Sequence, residues 1–518
     1  MSTKIISTNT NSQINSTLYW SKIAFFCILF LVLPLLVYGP SGDDDSYITF
    51  SAAEKFAQEG KILNINNDKV EQGSSLLHVL ILGFMIFLTK ISATKLGYAV
   101  SLLFSVLCVP LIIQLCNILK FRSFTPTLTI IILSVSYSYW SAAGLESSLF
   151  CFSLIFFTLC IHRSLAQGDD PLFKIHIWAS ASMVLMSRPE SFLLLISTLI
   201  ALFFVVPNVI NRKNTVLLKI LFIVTLLSGI LFYWRYSQFS SFFPQPVYAK
   251  SDGISLMKIF YGLGYFLYSL QASIIIFSIV NITLFIRIFF KRTSPPILIT
   301  ITSALTCSYI AFIVLSGGDW MSGGRFFAPI IPFLVINFLW VLKEKRIGLG
   351  LVITLMIFES IFFSIKVSSG IPFYKYKHIE GIDYKLYKDK YSYYDIYNLV
   401  HARDLPLVEK LDENVDKILR QTDEPVTILS IQMGIQPYFL INKFGDNVNF
   451  VDMRGLVTKH ITDCKEFALT ERRWTGVFIS YEDYFGAINE CDLPYPDIIY
   501  DLLNRDSLTN KQRIEIIL

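Results

Sequence analysis

The sequence predicts a polytopic α-helical membrane protein that ends in a soluble α/β domain, and three observations predict it. Of 518 residues, 53% are apolar and only 16% charged, and the mean hydropathy is +0.55, a balance that a water-soluble chain of this size does not reach. Apolar runs near membrane-crossing length recur from residue 23 to residue 365, separated by basic or polar loops. From about residue 366, Tyr, Lys and Asp replace Leu, Ile and Phe. The chain therefore divides into a membrane domain, 1–365, carrying a loop at 40–74, and a domain of ordinary size at 366–518.

The first run, Ile23 to Tyr38, follows Lys4 and Lys22. It is long for a signal core, and YGPSGDDDSY after it lacks a small-x-small cleavage site, so a retained span is expected. Further spans are expected at Leu96–Leu119, Thr125–Trp140, Ser148–Ile161, Phe192–Pro207, Val216–Trp234, Tyr261–Phe285, Ile297–Leu315, Phe326–Leu342 and Ile347–Ile365. Leu76–Leu88 and Ile175–Met186 are short; reading the first as re-entrant gives about 11 transmembrane helices. Basic clusters at Lys120/Arg122, Arg212/Lys213, Arg287/Lys291/Arg292 and Lys343/Lys345/Arg346 belong on the cytoplasmic side. Loops 40–74, Ser141–Ser147, Arg235–Asp252 and Ser316–Arg325, and everything after Lys366, then face out.

In the soluble domain, VTILSIQ, NVNFVDM and GVFIS are short β-branched runs suited to a small α/β layer. The stretch YKYKHIEGIDYKLYKDKYSYYDIYN reads as a tyrosine-rich linker or an interfacial segment. A net charge of +5, spread along the chain, gives no nucleic-acid surface. Six cysteines sit in apolar runs, whereas Cys464 and Cys491 lie in polar sequence, as a disulfide or as two free thiols. His78, His162, His176, His378, His401 and His460 show no ligand spacing, so no histidine metal site is expected.

The residues that bear chemistry begin at Asp43, Asp44 and Asp45, where the chain leaves the first span. Three adjacent aspartates are either a solvated acidic loop or a general base with neighbours that raise its pKa. The following ITFSAAEKFAQEG places Phe50, Ala53, Phe56 and Ala57 on one helical face, as an interfacial helix would.

The run DDSYITF…KFAQEGKILN…VEQGSSLLH resembles the first outer loop of GT-C superfamily glycosyltransferases akin to the terminal arabinofuranosyltransferases of mycobacterial walls, matching at Asp44, Asp45, Tyr47, Ile48, Val70, Glu71 and Ser75. Ser51 and Leu76 stand where that pattern has Arg and Pro. WSAAGLESSLF, SRPESFLLL, FFPQPVYAKS, GGDWMSGGRFFAPIIP and VDMRGLVTKHI resemble later segments in family order. They supply Glu146; Arg188 and Glu190; Tyr248 and Lys250; Asp319, Trp320 and Arg325; and Asp452.

The resemblance implies the GT-C fold and an inverting enzyme. A pentofuranose such as arabinose, or a hexose, would move from a polyprenyl-phosphate donor to an envelope glycan or lipopolysaccharide at the outer face of a bacterial inner membrane, with the C-terminal domain in the periplasm. Under it, Asp44 is expected as base and Asp45 as its partner, while Arg325 offers a fork and Lys250 a point charge to the leaving phosphate. Tyr47, Glu71, Glu146, Arg188, Glu190, Tyr248, Asp319, Trp320 and Asp452 complete the expected substrate contacts. Trp320 also suits an interfacial anchor, and Glu146, Arg188 and Glu190 a structural ion pair or cap at helix ends. The Asp43–Asp45 cluster leaves room for a divalent cation, which a phosphate neutralised by Arg and Lys does not require. A flippase or transporter of polyprenyl-linked glycans is the competing class; it predicts ionisable residues at mid-membrane, whereas these charges cluster at outer edges. A non-catalytic scaffold would leave the acidic triplet and GGDWMSGGR unused.

Overall fold

The computed structural model describes residues 3–39, 44–167, 170–206, 211–251, 253–269, 271–319, 321, 323–342, 346–368, 405–422, 424–430, 433–467, 472–473, 476–477, 481–500 and 514–516. The tyrosine-rich stretch, Asp43 and Trp320 lie outside them.

Sixteen helices are described before residue 369: α1 (Thr3–Tyr38), α2 (Asp44–Glu59), α3 (Leu76–Thr89), α4 (Ala93–Ile118), α5 (Thr125–Leu133), α6 (Val135–Ser141), α7 (Ser147–Gln167), α8 (Ile175–Ser187), α9 (Ser191–Val205), α10 (Asn211–Phe239), α11 (Gln245–Lys250), α12 (Leu256–Tyr268), α13 (Ala272–Phe289), α14 (Ile297–Ser316), α15 (Ile331–Leu342) and α16 (Arg346–Ser368). Among the described residues, seven helical stretches are long and apolar enough to cross a membrane, and five shorter apolar helices accompany them. The chain is a multi-pass membrane protein.

Two expected spans are not single helices. Thr125–Trp140 divides into α5 and α6 because Ser134 is extended, at φ −65° and ψ 122°. The Ser138 hydroxyl donates to the Ile132 carbonyl at this break. Tyr261–Phe285 divides into α12 and α13, because polar residues at the break find buried partners: Ser136 N donates to Gln271 Oε1 at 3.1 Å, and Ser273 N to Glu359 Oε1 at 2.8 Å. Both ends of α12 meet the 317–324 loop, Lys258 at Gly317 and Gln271 at Gly324, so α12 runs along one end of the bundle. Its exposed face carries Leu256, Phe260, Leu263 and Leu267, while Tyr265 is buried on the other.

The helix α3 behaves similarly. Ser75 caps it, Oγ accepting from His78 N, and Lys90 at φ 58° ends it. Ala93 N at the start of α4 then donates to Glu54 of α2, so the chain turns from α3 into α4 beside α2. Gly83 admits the close approach of α2: an added Cβ would meet Phe56 at 2.5 Å. On α2 itself, Phe50 and Ala53 are buried and Phe56 and Ala57 half-buried, the face the sequence marks.

The C-terminal domain holds α17 (Leu405–Leu419), β1 (Val426–Ser430), α18 (Ile435–Phe444), β2 (Val448–Asp452), α19 (Lys459–Asp463), β3 (Arg472–Arg473), β4 (Gly476–Val477), α20 (Tyr481–Ala487), β5 (Ile498–Tyr500) and β6 (Ile514–Ile516). Strand order is β2-β1-β5-β6, parallel except for the antiparallel edge strand β6. VTILS and NVNFVD form the first two strands, as expected. Of GVFIS, Gly476 and Val477 are described and pair with Arg472–Arg473, and among the described residues the short run Ile498–Tyr500 takes the place beside β1.

Cys464 and Cys491 are joined in a disulfide across 27 residues. Closing a loop of this length restricts the unfolded chain, so Cys464→Ser should lower the unfolding free energy of this domain by about 3 kcal/mol, readable in denaturant titrations of the full chain.

This domain does not hang free of the membrane domain. Ile48 and Ile65 pack into its core beside Leu411, Ile428 and Leu440, and Val408, Ile435 and Tyr438 pack against Tyr47 and Phe50. The backbone N–H of Phe450 donates to Asn66 Oδ1 at 2.9 Å, while Asn66 Nδ2 donates back to Phe450 O at 2.6 Å. Loop 44–74 is thus a layer between the helical bundle and the sheet.

Candidate active site

The four loops that charge assigns to one side meet in space at the capped end. Gln245 N donates to Glu71 O at 2.9 Å, Ser101 of α4 to Leu145 O at 2.6 Å, and Arg325 to Asp45 at 3.1 Å. Between them lies a cavity of about 770 Å³. Its polar end holds Asp45, Gln72, Glu146, Arg188, Glu190, Lys250, Asp319 and Arg325. Its apolar end runs between α9 and α14 along Phe192, Leu193, Leu194, Ala311, Phe312 and Leu315. Leu193 and Leu315 on that wall are exposed, and they belong to the apolar helices α9 and α14.

Two arginines organise the polar end. Arg325 Nη1 lies 3.1 Å from Asp45 Oδ2, and its Nε is 2.7 Å from Asp319 Oδ2 as an ion-pair contact without hydrogen-bond alignment. Arg188 Nη1 donates to Glu146 Oε1 at 2.7 Å and its Nε to Glu190, whose carboxylate also accepts from the Tyr309 hydroxyl at 3.4 Å. The Phe326 ring separates the two guanidinium groups, at 5.0 Å from Arg188 and 5.5 Å from Arg325. Each buried arginine is therefore matched by two carboxylates.

Lys250 stands apart: it closes α11, lines the cavity, and makes no hydrogen bond or ion pair among the described residues. Its charge still acts on Asp45. Burial pushes the Asp45 carboxyl up, but Lys250, then Arg325, and the hydrogen bond from Arg325 together outweigh it and hold the group below its ordinary value.

Six of the expected contacts line the cavity with Asp45: Glu146, Arg188, Glu190, Lys250, Asp319 and Arg325. Five other expected residues are placed elsewhere. Asp44 turns away, Oδ1 accepting from Ile435 N at 2.7 Å and Oδ2 from Gly434 N at 3.1 Å, so of the two aspartates it is Asp45 that lines the cavity. Tyr47 is buried against Phe50, Tyr438 and Phe439, at ring distances of 5.4, 5.2 and 5.9 Å. Glu71 forms a two-pronged pair with Arg235 of α10, at 2.8 and 3.0 Å. The Tyr248 hydroxyl accepts from Phe242 N and Phe243 N and pins the loop before α11. The Asp452 carboxylate accepts from the backbone N–H groups of Arg454, Leu456 and Val457, shaping a turn. That turn sends Leu456 into the cavity wall.

No family model and no curated protein matches the sequence. Among solved structures, the crystal structure of ArnT from Cupriavidus metallidurans bound to undecaprenyl phosphate aligns with a TM-score of 0.45 and 14% identity, over 93% of this chain and 90% of that one.

Several residues in and around this site carry no motif that marks them in the sequence. Lys258 lines the cavity with its ammonium on Gly253 O at 3.1 Å, and Gln72 lines it while donating to Ile48 O at 2.8 Å. Arg235 is a single cation at the end of an apolar run, and only its charge at that depth marks it. Among the described residues no cluster of three His, Cys, Asp or Glu side chains is arranged for a metal ion.

Proposed function

We propose that this chain is a GT-C-type glycosyltransferase that moves a sugar from a polyprenyl-phosphate donor to an envelope glycan or lipid acceptor at the outer face of a bacterial inner membrane. One observation carries the reading: a cavity that holds a carboxylate, a buried guanidinium and an ammonium with no side-chain partner among the described residues is also walled by apolar residues of α9 and α14, Leu193 and Leu315 of them exposed. An amphiphile with an anionic head fits both ends. The ordered motif resemblance supports the same reading, and the Cys464–Cys491 disulfide suits a domain in an oxidising compartment.

In this mechanism the acceptor hydroxyl attacks the anomeric carbon opposite the phosphate. The bond from carbon to phosphate oxygen breaks as the new glycosidic bond forms, with inversion, and the lipid departs as its monophosphate. Asp45 takes the proton from the attacking hydroxyl. Lys250 and Arg325 receive the charge that builds on the departing phosphate. Arg188, held by Glu146 and Glu190, stabilises the wall beside Phe326 and contributes less free charge. The resemblance favours a pentofuranose such as arabinose or a hexose as the group transferred.

The test is transfer of label from polyprenyl-phosphoryl pentose and hexose probes in membranes carrying the full chain; absence of transfer from every probe would sink the reading. Lys250→Gln should raise KM for the donor about tenfold, as loss of one charged contact to phosphate does. It should also move the acidic limb of the pH profile. Asp45 works deprotonated, and its lowered pKa keeps the wild type active until the pH falls below the ordinary aspartate range. Without Lys250 the carboxyl is less depressed, so activity is lost at higher pH. An unmoved limb would show that Lys250 does not act on the base.

A further inference from the structure

Loop 44–74 carries two adjacent carboxylates that point in opposite directions, and the one that leaves the cavity is held as tightly as the one that enters it. Asp44 begins α2, the helix on which Asp45 is the second residue, so whatever fixes the Asp44 side chain fixes the backbone from which Asp45 reaches Arg325. Both Asp44 oxygens are fixed, by two successive backbone N–H groups at the start of α18. Those groups belong to the end of a helix that lacks internal acceptors and attracts negative charge. The partner position is shaped for this contact. Gly434 passes so close to Asp44 that an added Cβ would lie 1.9 Å from the Asp44 carbonyl oxygen and 2.5 Å from its carboxylate carbon. Packing extends the contact along both helices: Tyr438 of α18 stacks edge-on against Tyr47 at 5.2 Å and donates its hydroxyl to Glu54 at 2.7 Å.

We infer that Asp44 is a positioning residue, a latch by which the C-terminal domain sets the place of the Asp45 carboxylate in the cavity. The inference rests on the reading of Asp45 as the base. It means that the soluble domain is part of the catalytic apparatus without supplying a reacting group: docking of α18 aligns the base, and undocking withdraws it. Reacting groups tolerate little displacement, since a shift of about 1 Å costs on the order of 10²-fold in rate.

The experiment compares full-length wild type with Asp44→Asn, Asp44→Ala, Gly434→Ala and Asp45→Asn, titrating the polyprenyl-phosphoryl sugar that the wild type transfers and checking each for a monodisperse fold in detergent. Asp44→Asn keeps one acceptor for Ile435 N and should lose about tenfold in kcat; Asp44→Ala should lose about 10²-fold, with KM for the donor unchanged in both. Gly434→Ala, which breaks the same contact from the other side, should show the same split of low kcat and ordinary KM. A general loss of fold would instead lower the active fraction and scatter both constants. Equal loss in Asp44→Asn and Asp44→Ala, with Gly434→Ala at wild-type kcat, overturns the latch and makes Asp44 itself a reacting group. Wild-type kcat in Asp44→Ala overturns it as well. Substantial turnover in Asp45→Asn overturns the base assignment instead, and with it the idea that Asp44 acts through Asp45.

Discussion

Asp45→Asn is expected to lower kcat for sugar transfer by about 10²- to 10⁴-fold, the range that a positioned general base contributes. The substitution changes little else. The amide has the size of the carboxylate, and its oxygen still accepts from Arg325 Nη1, which lies 3.1 Å from the present carboxylate. Arg325 also keeps Asp319 at 2.7 Å, so its charge is not left buried alone. KM for the donor should stay near the wild-type value or fall, because removing one anion from beside Lys250 and Arg325 makes the phosphate end more attractive. Single-turnover transfer at saturating donor is the measurement that separates chemistry from binding. Retention of wild-type kcat would exclude Asp45 as the base and return the carboxylates Glu146, Glu190 and Asp319 to consideration.

The contrast between Asp44 and Asp45 shows where the sequence could be read and where it could not. Periodicity and charge locate the interfacial helix, because Phe50 and Ala53 repeat at helical spacing and the acidic run sits at the end of a span. They do not tell which of two adjacent carboxylates faces the cavity. That choice depends on Gly434, which is 390 residues from Asp44 in sequence. The same holds for the spans. Long uniform runs such as Ala93–Ile118 and Ile297–Ser316 emerge near their expected bounds. Breaks at Ser134 and Gln271 escape a hydropathy reading, because the backbone N–H groups just after them, of Ser136 and Ser273, are taken by side chains far away in sequence, Gln271 and Glu359. In the soluble domain β1 and β2 follow from their β-branched runs, whereas Ile498–Tyr500 is too short to stand out until β1 lies beside it.

Glu71→Gln is expected to destabilise the protein by about 3–5 kcal/mol, because it leaves Arg235 charged and without its partner. Both side chains are almost fully buried, at 3% and 2% exposure, and both carboxylate oxygens are engaged by one guanidinium. The pair joins loop 44–74 to α10, and the Glu71 carbonyl holds the start of α11 through Gln245 N at 2.9 Å. Loss of the pair therefore loosens two walls of the cavity together. Replacing both residues separates structure from recognition. Glu71→Leu with Arg235→Met removes both charges, and an apolar pair of similar bulk often matches a buried ion pair in stability. Thermal melting in detergent should show the double variant recovering most of the loss seen in either single variant. Its KM for the donor should remain close to wild type, since neither side chain lines the cavity. A double variant that melts like wild type but binds donor much more weakly would restore Glu71 to the substrate contacts that the motif resemblance implies.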